Sequence, residues 1–385
     1  MTVHRWKPIE DLPQNWSVLA STELKSLAAI WGEQSVRLQQ SDALKQFNDR
    51  LHREWAIETG IIENLYSIDR GTAQMLIQQG IEASLIPHGS TDKPAEEIVP
   101  ILKDQEEVLE GLLDFVAQQR VLSTSFIKQL HQVLTRHQET VQVVNGLGRT
   151  AQIQLLRGEW KKSPNNPKRP DGEVHEYCPP EHVAAEMDCL IATHQDHQKM
   201  DVPPEIEAAW MHHRFSQIHP FQDGNGRIAR ALASLIFLQY RWFPLVIHRE
   251  LRADYIHALE KADEGNLQPL IQLFATIQKK SFVKALSISE NVLHDRDPVQ
   301  QVITAATDKL KKRQETKFQE RKKAFDLSKH LETLAKNRLD EVAHELNHEL
   351  SQLSSDYSAT TDQSIEDKTD FWFRKQIIEI AKRLV

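Results

Sequence analysis

The stretch His219-Pro-Phe-Gln-Asp-Gly-Asn-Gly-Arg-Ile-Ala-Arg230 decides the fold of the chain. Apolar residues at helical spacing precede it, among them Ile206 and Trp210. Pro220 ends this helix, because proline disfavours helical geometry in the residue before it. The residues that follow, 228–238, are apolar around most of a helix circumference, which predicts a buried central helix. The stretch is therefore the turn between two helices, with a histidine at the exit of the first.

The turn has the composition of an anion-binding site. Gly224, Asn225 and Gly226 permit tight turn geometry and let a ligand approach the main chain closely. The helix that starts there presents unpaired N–H groups and the positive end of its dipole, so phosphate is the leading candidate ligand. Arg227 and Arg230 share a helix face, where two guanidinium groups suit a polyphosphate.

Two further side chains complete the parts needed for group transfer. Asp223 would repel phosphates, so its natural role is to hold Mg²⁺ that bridges phosphoryl oxygens. His219 titrates near neutrality and can take a proton from an attacking hydroxyl. A Gly-Asn-Gly turn or a histidine at a helix end is ordinary by itself, but all these groups fall within 12 residues. The set is what phosphoryl-type transfer requires, because catalysis there is mostly positioning and charge stabilisation.

This stretch resembles the Fic-domain signature, His-Pro-Phe-x-Asp/Glu-Gly-Asn-Gly-Arg-x-x-Arg, with every fixed position present. The similarity extends over roughly 122–286. Ile127-Lys-Gln-Leu-His131 resembles the first helix of the Fic core, and Gly158-Glu-Trp-Lys161 resembles part of its flap. The resemblance implies an all-α Fic fold, a helical bundle with a small β-hairpin flap. It also implies transfer of AMP from ATP, with Mg²⁺, to a Ser, Thr or Tyr hydroxyl of a target protein.

The resemblance implies a role for each functional position. His219 would be the general base on the target hydroxyl, and Asp223 would be the Mg²⁺ ligand. The implied ATP-binding residues are Gly224, Asn225 and Gly226 through their main chain, Arg227 at the β- and γ-phosphates, Arg230 at the γ-phosphate, and Tyr255 and Asp263 beside the adenine. Many relatives carry Asn at the position of Asp263. A target protein would dock on the flap, about residues 157–163, as an added strand.

A second match lies upstream, in Thr59-Gly-Ile-Ile-Glu63-Asn64. It is similar to the inhibitory motif Ser/Thr-x-x-x-Glu-Gly/Asn that many Fic proteins carry on a helix before the core, and it follows an amphipathic helical pattern over 44–55. We predict that Glu63 pairs with Arg230 and so occupies the guanidinium that the γ-phosphate needs. The alternative is that Thr59 caps a helical turn and Glu63 is a solvated charge.

Other activities stay open at this point. The site could transfer another nucleotide, or remove AMP from a modified protein with Glu63 orienting the water. Transfer of a phosphate is disfavoured, because a divergent branch of relatives that performs it carries Lys at the position of Gly226. Outside enzymes, the alternative is a non-catalytic module that senses nucleotide and binds partners through its terminal helices.

Composition shifts predict three segments. An N-terminal helical segment spans 1–110 and includes the inhibitory helix at about 42–64, the Fic domain spans 111–290, and a C-terminal helical region spans 291–385. Residues 308–325 contain eight Lys/Arg against three Asp/Glu, and a stripe of Leu and Val follows them. We expect an amphipathic helix pair that docks on the main domain or on a second copy. Contact of the basic stretch with nucleic acid or a membrane is the lesser alternative.

Prolines and alternating residues predict where the hairpin lies. The stretch 163–172 is rich in proline and cannot be helix interior. Short extended pieces flank it, at 143–160, where Ile153 and Leu155 alternate with polar residues, and at 173–177. We therefore expect the hairpin to enclose the proline-rich loop.

The overall composition excludes several classes of protein. The chain has 385 residues, 40% of them hydrophobic, and a net charge of -8, which lacks the electrostatic footprint of a phosphate-backbone binder. Two cysteines cannot form a disulfide framework. The charged first 16 residues do not resemble a signal peptide, and the longest nearly apolar run, 231–238, is too short to span a membrane. We expect a soluble cytoplasmic protein without membrane or nucleic-acid partners. Whether the protein forms a homo-oligomer stays open.

Overall fold

Helices account for most of the structure. The computed structural model describes residues 5–38, 41–144, 150–167, 174–294, 298–353, 358–361 and 382. Over these residues the chain forms eleven α-helices and one antiparallel pair of strands, which confirms the predicted all-α fold with a small hairpin. The elements are α1 (Thr22–Leu38), α2 (Asp42–Ile62), α3 (Arg70–Gln79), α4 (Ala95–Ala117), α5 (Thr124–Leu134), β1 (Thr140–Val144), β2 (Thr150–Gln154), α6 (Val183–Lys199), α7 (Pro204–Ile218), α8 (Asn225–Gln239), α9 (Arg252–Asp263), α10 (Gln268–His294) and α11 (Pro298–Leu353). They lie in two compact units, Met1–His294 and Asp295–Val385.

Helices α7 and α8 form the centre of the first unit. The helix α8 is buried over nearly its whole length, and α7 beside it buries Trp210 and Phe215 completely. The helix α7 ends at Ile218, where His219 adopts left-handed geometry with φ 50° and ψ 56° and a proline follows. The predicted buried helix and the predicted helix exit are both confirmed.

The N-terminal helix α2 shares this core. Trp55 is 1% exposed, and its Nε1 donates a hydrogen bond to Ser234 Oγ on α8 at 3.1 Å. The Ser234 hydroxyl donates in turn to the carbonyl of Arg230 at 2.8 Å. The border predicted between residues 110 and 111 falls inside α4, which packs against α2, α5 and α8. The two predicted segments on either side of it therefore share a helix and one core.

The hairpin is present, but in a different place from the predicted one. Strand β1 pairs with β2, with Val141 opposite Ile153, so both strands precede the proline-rich loop. The expectation that the loop lies between the strands is wrong, because the extended chain before the loop pairs with the neighbouring segment at 140–144. The described residues from 155 to 167, including the predicted flap at 157–163, form turns and irregular chain.

The described residues of the second unit include one long helix. The helix α11 is continuous over 56 residues, and 354–357, 362–381 and 383–385 of the region in which the sequence predicts a pair of helices lie outside the described residues. Its exposed apolar side chains are Leu327, Leu331, Leu334, Leu339, Val342 and Leu346. Within the described parts of the chain, no helix combines the length and the apolar character needed to cross a membrane.

Glu58 on α2 holds the chain that leads into α9. Its buried carboxylate accepts hydrogen bonds from Arg249 Nη2 at 2.7 Å and from the Arg249 main-chain N–H at 2.9 Å. Because Glu58→Ala leaves this guanidinium without its carboxylate, we expect the free energy of unfolding to fall by about 3 kcal/mol. Urea unfolding followed by circular dichroism measures the loss. The exposed-site variant Glu33→Ala should change it by less than about 0.5 kcal/mol, and an equally small effect of Glu58→Ala would contradict the prediction.

His197 on α6 makes the stability of the fold depend on pH. Its Nδ1 lies 2.6 Å from Glu207 Oε2, and its Nε2 lies 2.7 Å from Asp11 Oδ1. Burial alone would lower the pKa of His197, but these two carboxylates outweigh burial and raise the pKa above 6.5. The stabilisation is fully present below pH 6.5 and is lost as pH rises through the raised pKa. We expect the urea midpoint to fall between about pH 6 and about pH 9, and we expect this fall to be smaller in His197→Gln. An unchanged pH dependence in the variant would contradict this.

Candidate active site

His219 is held with one ring nitrogen available as a base. Its Nδ1 lies 3.3 Å from the carbonyl oxygen of Ser216. Because a carbonyl can only accept, Nδ1 carries the proton and Nε2 keeps its lone pair. Burial, and the nearby Lys161 ammonium after it, lower the pKa of His219 to about 3. The imidazole is therefore neutral at physiological pH, which is the form that a general base requires.

Asn225 fixes the shape of the turn before α8. Its side chain accepts a hydrogen bond from the N–H of Phe221 and donates one to the carbonyl of the same residue, both at 2.8 Å. Gly224 has φ 81°, a left-handed conformation that favours glycine. The sequence predicted a role for the Asn225 main chain, and the structure adds that its side chain closes the loop on which the main-chain N–H groups are presented.

Asp223 is an ionised carboxylate at the edge of the turn. Its Oδ1 accepts a hydrogen bond from the N–H of Gly224 at 2.7 Å, and its Oδ2 accepts one from Gln138 and lies 3.7 Å from Arg227 Nη2. Burial alone would raise the pKa of Asp223, but Arg227 and these hydrogen bonds lower it below 3.8. The side chain is 35% exposed. A charged, partly exposed carboxylate is the ligand that Mg²⁺ takes from a protein at a phosphate site, so Asp223 fits this role.

Arg227 is buried, and part of its guanidinium has no hydrogen-bond partner among the described residues. Its side chain is 1% exposed, and its Nη2 donates to Gln138 Oε1 at 2.7 Å. Its Nε and Nη1 atoms have no hydrogen-bond partner among the described residues. Buried donors are normally satisfied, so two nitrogen atoms without a partner on one guanidinium fit a binding site for an anion.

Arg230 is paired with both residues of the upstream motif. Its Nη1 lies 2.7 Å from Glu63 Oε1, its Nε donates to Thr59 Oγ1 at 2.8 Å, and its Nη2 donates to the carbonyl of Thr59 at 2.9 Å. The predicted ion pair between Glu63 and Arg230 is in place. The Glu63 carboxylate also lies against Gly226, where a Cβ atom would overlap it. The glutamate therefore covers part of the turn that the sequence predicted to bind phosphate.

The end of α2 places Glu63 beside Arg230. The helix stops at Ile62, Glu63 follows as its C-cap, and Asn64 turns the chain with φ 53°. Asparagine tolerates this left-handed geometry better than most residues. Thr59 lies within α2, so the alternative that it caps a new helical turn is wrong.

One cavity is lined by five of the predicted site residues, and Asp223, Arg227 and Arg230 are not among them. It has a volume of about 380 Å³, within the usual range of small-molecule pockets. The residues of the sequence prediction that line it are Glu63, His219, Gly226, Tyr255 and Asp263. The structure thus brings the predicted base, the predicted inhibitory glutamate and both predicted adenine-side residues to one space.

The adenine-side candidates are tied to α7. The Tyr255 hydroxyl lies 2.8 Å from His212 Nε2, and Asp263 Oδ1 lies 3.0 Å from His213 Nε2. Arg214 Nη1 lies 3.3 Å from His213 Nδ1. Because arginine can only donate, His213 Nδ1 accepts, and His213 Nε2 therefore donates to Asp263. These bonds fix both side chains on the wall of the cavity.

Several supporting residues were not predicted from the sequence. Gln138 bridges Arg227 and Asp223, and His131 accepts from the N–H of Gly158 at 2.9 Å and donates to the carbonyl of Asp223 at 3.0 Å. The others are His212, Lys161 and Tyr177. The only sequence signal for any of them is that His131 and Lys161 lie in stretches that resemble parts of the Fic core.

Comparison with known proteins gives a family and curated relatives. A model of the Fic/DOC family matches residues 121–237. The chain is similar to the protein adenylyltransferase fic-1 of Caenorhabditis briggsae, with 31% identity over 141 residues, and of Caenorhabditis elegans, with 30% identity over 122 residues. These segments cover 36% and 31% of this chain, and 27% and 24% of the relatives. The chain thus spans about a quarter of the length of the curated relatives it matches.

Solved structures resemble a longer part of the chain. A Fic domain containing signaling protein from Bacteroides thetaiotaomicron gives a TM-score of 0.56 at 22% identity, over 70% of this chain and 97% of that one. Fic-1 from C. elegans gives a TM-score of 0.54 at 21% identity, over 71% of this chain and 72% of that one. At these identities the likeness establishes the fold alone.

Proposed function

Since a model of the Fic/DOC family matches residues 121–237, we propose that the chain is a protein adenylyltransferase, which transfers AMP from ATP to a Ser, Thr or Tyr hydroxyl of a target protein. Curated relatives of that name match part of the chain at 31% and 30% identity. The observation that carries the proposal is the buried Arg227 in the first turn of α8, two of whose nitrogen atoms lack a hydrogen-bond partner among the described residues. A phosphate group would satisfy them.

His219 begins the proposed reaction. Its Nε2 takes the proton of the target hydroxyl, and the hydroxyl oxygen attacks the α-phosphorus of ATP. A new O–P bond forms, the bond from this phosphorus to the oxygen bridging to the β-phosphate breaks, and pyrophosphate leaves with that electron pair. Main-chain N–H groups of Gly224, Asn225 and Gly226 would stabilise the charge on the α-phosphate.

The charged side chains hold the rest of the nucleotide. Arg227 and Arg230 bind the β- and γ-phosphates, and Tyr255 and Asp263 face the adenine. Asp223 would hold Mg²⁺, and a bound Mg²⁺ would neutralise part of the phosphate charge.

The same geometry supports autoinhibition. With Glu63 on Arg230, the guanidinium that binds the γ-phosphate is occupied. ATP then binds with its α-phosphate out of line with the attacking hydroxyl, and misalignment of this kind removes most of the benefit of positioning. We propose that the protein is held at low activity in this state.

A target segment is proposed to dock on the flap at 157–163. The flap is attached to the catalytic loop, since the N–H of Lys161 donates to the carbonyl of Pro220 at 2.8 Å. This bond keeps the docked segment at a fixed distance from His219. Main-chain pairing would align the acceptor hydroxyl with limited demand on the target sequence.

Two labels on the nucleotide test the proposed reaction. The Glu63→Gly protein is incubated with cell lysate and Mg²⁺, and with ATP labelled at either the α- or the γ-phosphate. Beyond the label that the lysate incorporates without the added protein, we expect label on protein from α-labelled ATP only, with release of pyrophosphate. Label from γ-labelled ATP alone would show phosphate transfer instead and overturn the proposal. Parallel reactions with α-labelled GTP, CTP and UTP test whether adenine is preferred.

A second candidate function is removal of AMP from a modified protein. It is favoured by the position of Glu63, whose side chain is 30% exposed and lines the same cavity as His219, where it can orient a water molecule. Release of AMP from a modified target is the measurement. Release by the wild type that is lost in Glu63→Ala supports this second function, whereas release by neither protein contradicts it.

A further inference from the structure

Tyr177 lies flat on the imidazole of His219. The two ring centroids are 3.7 Å apart and the ring planes differ by 7°. Tyr177 is outside the signature stretch and lies on the chain between the proline-rich loop and α6. Its main-chain N–H donates to Asn166 Oδ1 at 2.9 Å, which fixes the backbone that carries the ring. The contact is therefore a built part of the cavity wall.

His219 needs such a support. Its hydrogen bond to the carbonyl of Ser216 is 3.3 Å long, which is at the weak end of the normal range. Rotation about the last side-chain bond of a histidine is soft, so one long hydrogen bond leaves the ring plane loosely defined. A parallel aromatic ring removes this freedom, because tilting the imidazole would break the stack.

Lys161 helps to hold the Tyr177 ring in place. Its Nζ lies 5.8 Å from the centroid of the Tyr177 ring and donates to Asn165 Oδ1 at 2.8 Å. Asn165 donates in turn to the carbonyl of Phe221 at 2.8 Å, in the catalytic loop. Lys161 is 3% exposed, so its charge is held close to the rings instead of in water. An ammonium over an aromatic ring is an attractive pair, which adds to the definition of the Tyr177 position.

We propose that Tyr177, held by Lys161, is a positioning residue that fixes the ring plane of His219 so that Nε2 faces the acceptor hydroxyl. This inference rests on the proposed function, in which His219 is the base. The stack needs the aromatic ring but not the phenol oxygen, so phenylalanine can replace tyrosine. A branched aliphatic side chain fills similar space without a flat face.

The charges that face His219 agree with this role. Lys161 and His175 disfavour a protonated imidazole, and Asp223 favours it. Removing the Tyr177 ring would admit water to His219, and removing the Lys161 charge would take away a repulsion. Both changes therefore raise the pKa of His219 towards 6.5.

Transfer rates test the positioning. In the Glu63→Gly background, we expect Tyr177→Phe to retain the transfer rate within about threefold and Tyr177→Leu to lower it by about 10- to 100-fold. Affinity for ATP, measured by calorimetry, should stay within about twofold for both, because Tyr177 acts on the base. Tyr240→Leu, at an exposed position, serves as the control and should change neither quantity. A parallel loss of rate and ATP affinity in Tyr177→Leu would show a general structural role and overturn the proposal.

NMR titration of the imidazole tests the stack without any transfer assay. The His219 signal is assigned by its absence in His219→Ala. We expect its pKa to be unchanged in Tyr177→Phe and raised in Tyr177→Leu and Lys161→Met. Lys128→Met is the matched control, since Lys128 Nζ lies 4.5 Å from the Trp160 ring, and it should leave the pKa unchanged. An unchanged pKa in Tyr177→Leu overturns the inference even if transfer is observed. If no variant labels protein while the pKa shifts appear as expected, the proposed function fails and the stacking role is upheld.

Discussion

Glu63→Gly is expected to raise the rate of AMP transfer by about 30-fold or more, which corresponds to about 2 kcal/mol of barrier. The reason is the 2.7 Å ion pair with Arg230, a guanidinium that is 1% exposed. Removing the carboxylate frees this buried cation for the γ-phosphate, and the electrostatic gain of pairing a buried guanidinium with a phosphate is large. Label transferred from α-labelled ATP to protein is the measurement.

A matched control separates this effect from helix destabilisation. Glu54→Gly introduces the same residue into α2, but the Glu54 carboxylate lies 3.9 Å from His248 and is not paired with Arg230. We expect no increase in transfer from this variant. Equal rates for Glu63→Gly and the wild type, or an equal increase from Glu54→Gly, would contradict the autoinhibition proposal.

His219→Ala should lower the transfer rate of the Glu63→Gly protein by about 10²- to 10⁴-fold, the usual contribution of a general base. The variant removes Nε2 of His219, which keeps its lone pair because Nδ1 donates to the carbonyl of Ser216. ATP affinity should change little, because the phosphates are held by α8 and its arginines. The loss should therefore appear in kcat.

The control for this variant is a histidine outside the cavity. His248 is 40% exposed, and His248→Ala should leave the rate within about twofold. Transfer by His219→Ala at the rate of its parent protein would show that another group is the base and that the assignment of His219 is wrong.

The sequence predicted the parts of the site that are continuous along the chain. The turn from His219 to Arg230 carries its own helix exit, its own glycines and its own charges, so its local geometry follows from local rules. The helix α2 was predicted for the same reason, since the pattern over 44–55 and the motif that follows it lie on one helical segment.

What the sequence did not predict depends on contacts between distant segments. Gln138 and Asp223 are 85 positions apart, and nothing local shows that one amide bridges Asp223 and Arg227. The stack of Tyr177 on His219 is of the same kind. The position of the hairpin was predicted wrongly because both flanks of the proline-rich loop contain extended chain. Alternation of apolar and polar residues predicts a strand, but it does not show that β2 pairs with β1.

The hydrogen bond from Trp55 to Ser234 bears on how the proposed autoinhibition could be relieved. It anchors α2 to α8 by a buried tryptophan two helical turns before Glu63, so the inhibitory carboxylate is presented at a constant, very high effective concentration. Diluting the protein cannot relieve such a block, and neither can competition from a free peptide at ordinary concentrations. We therefore expect an activating signal to act on the end of α2, where displacement of the Glu63 side chain would free Arg230.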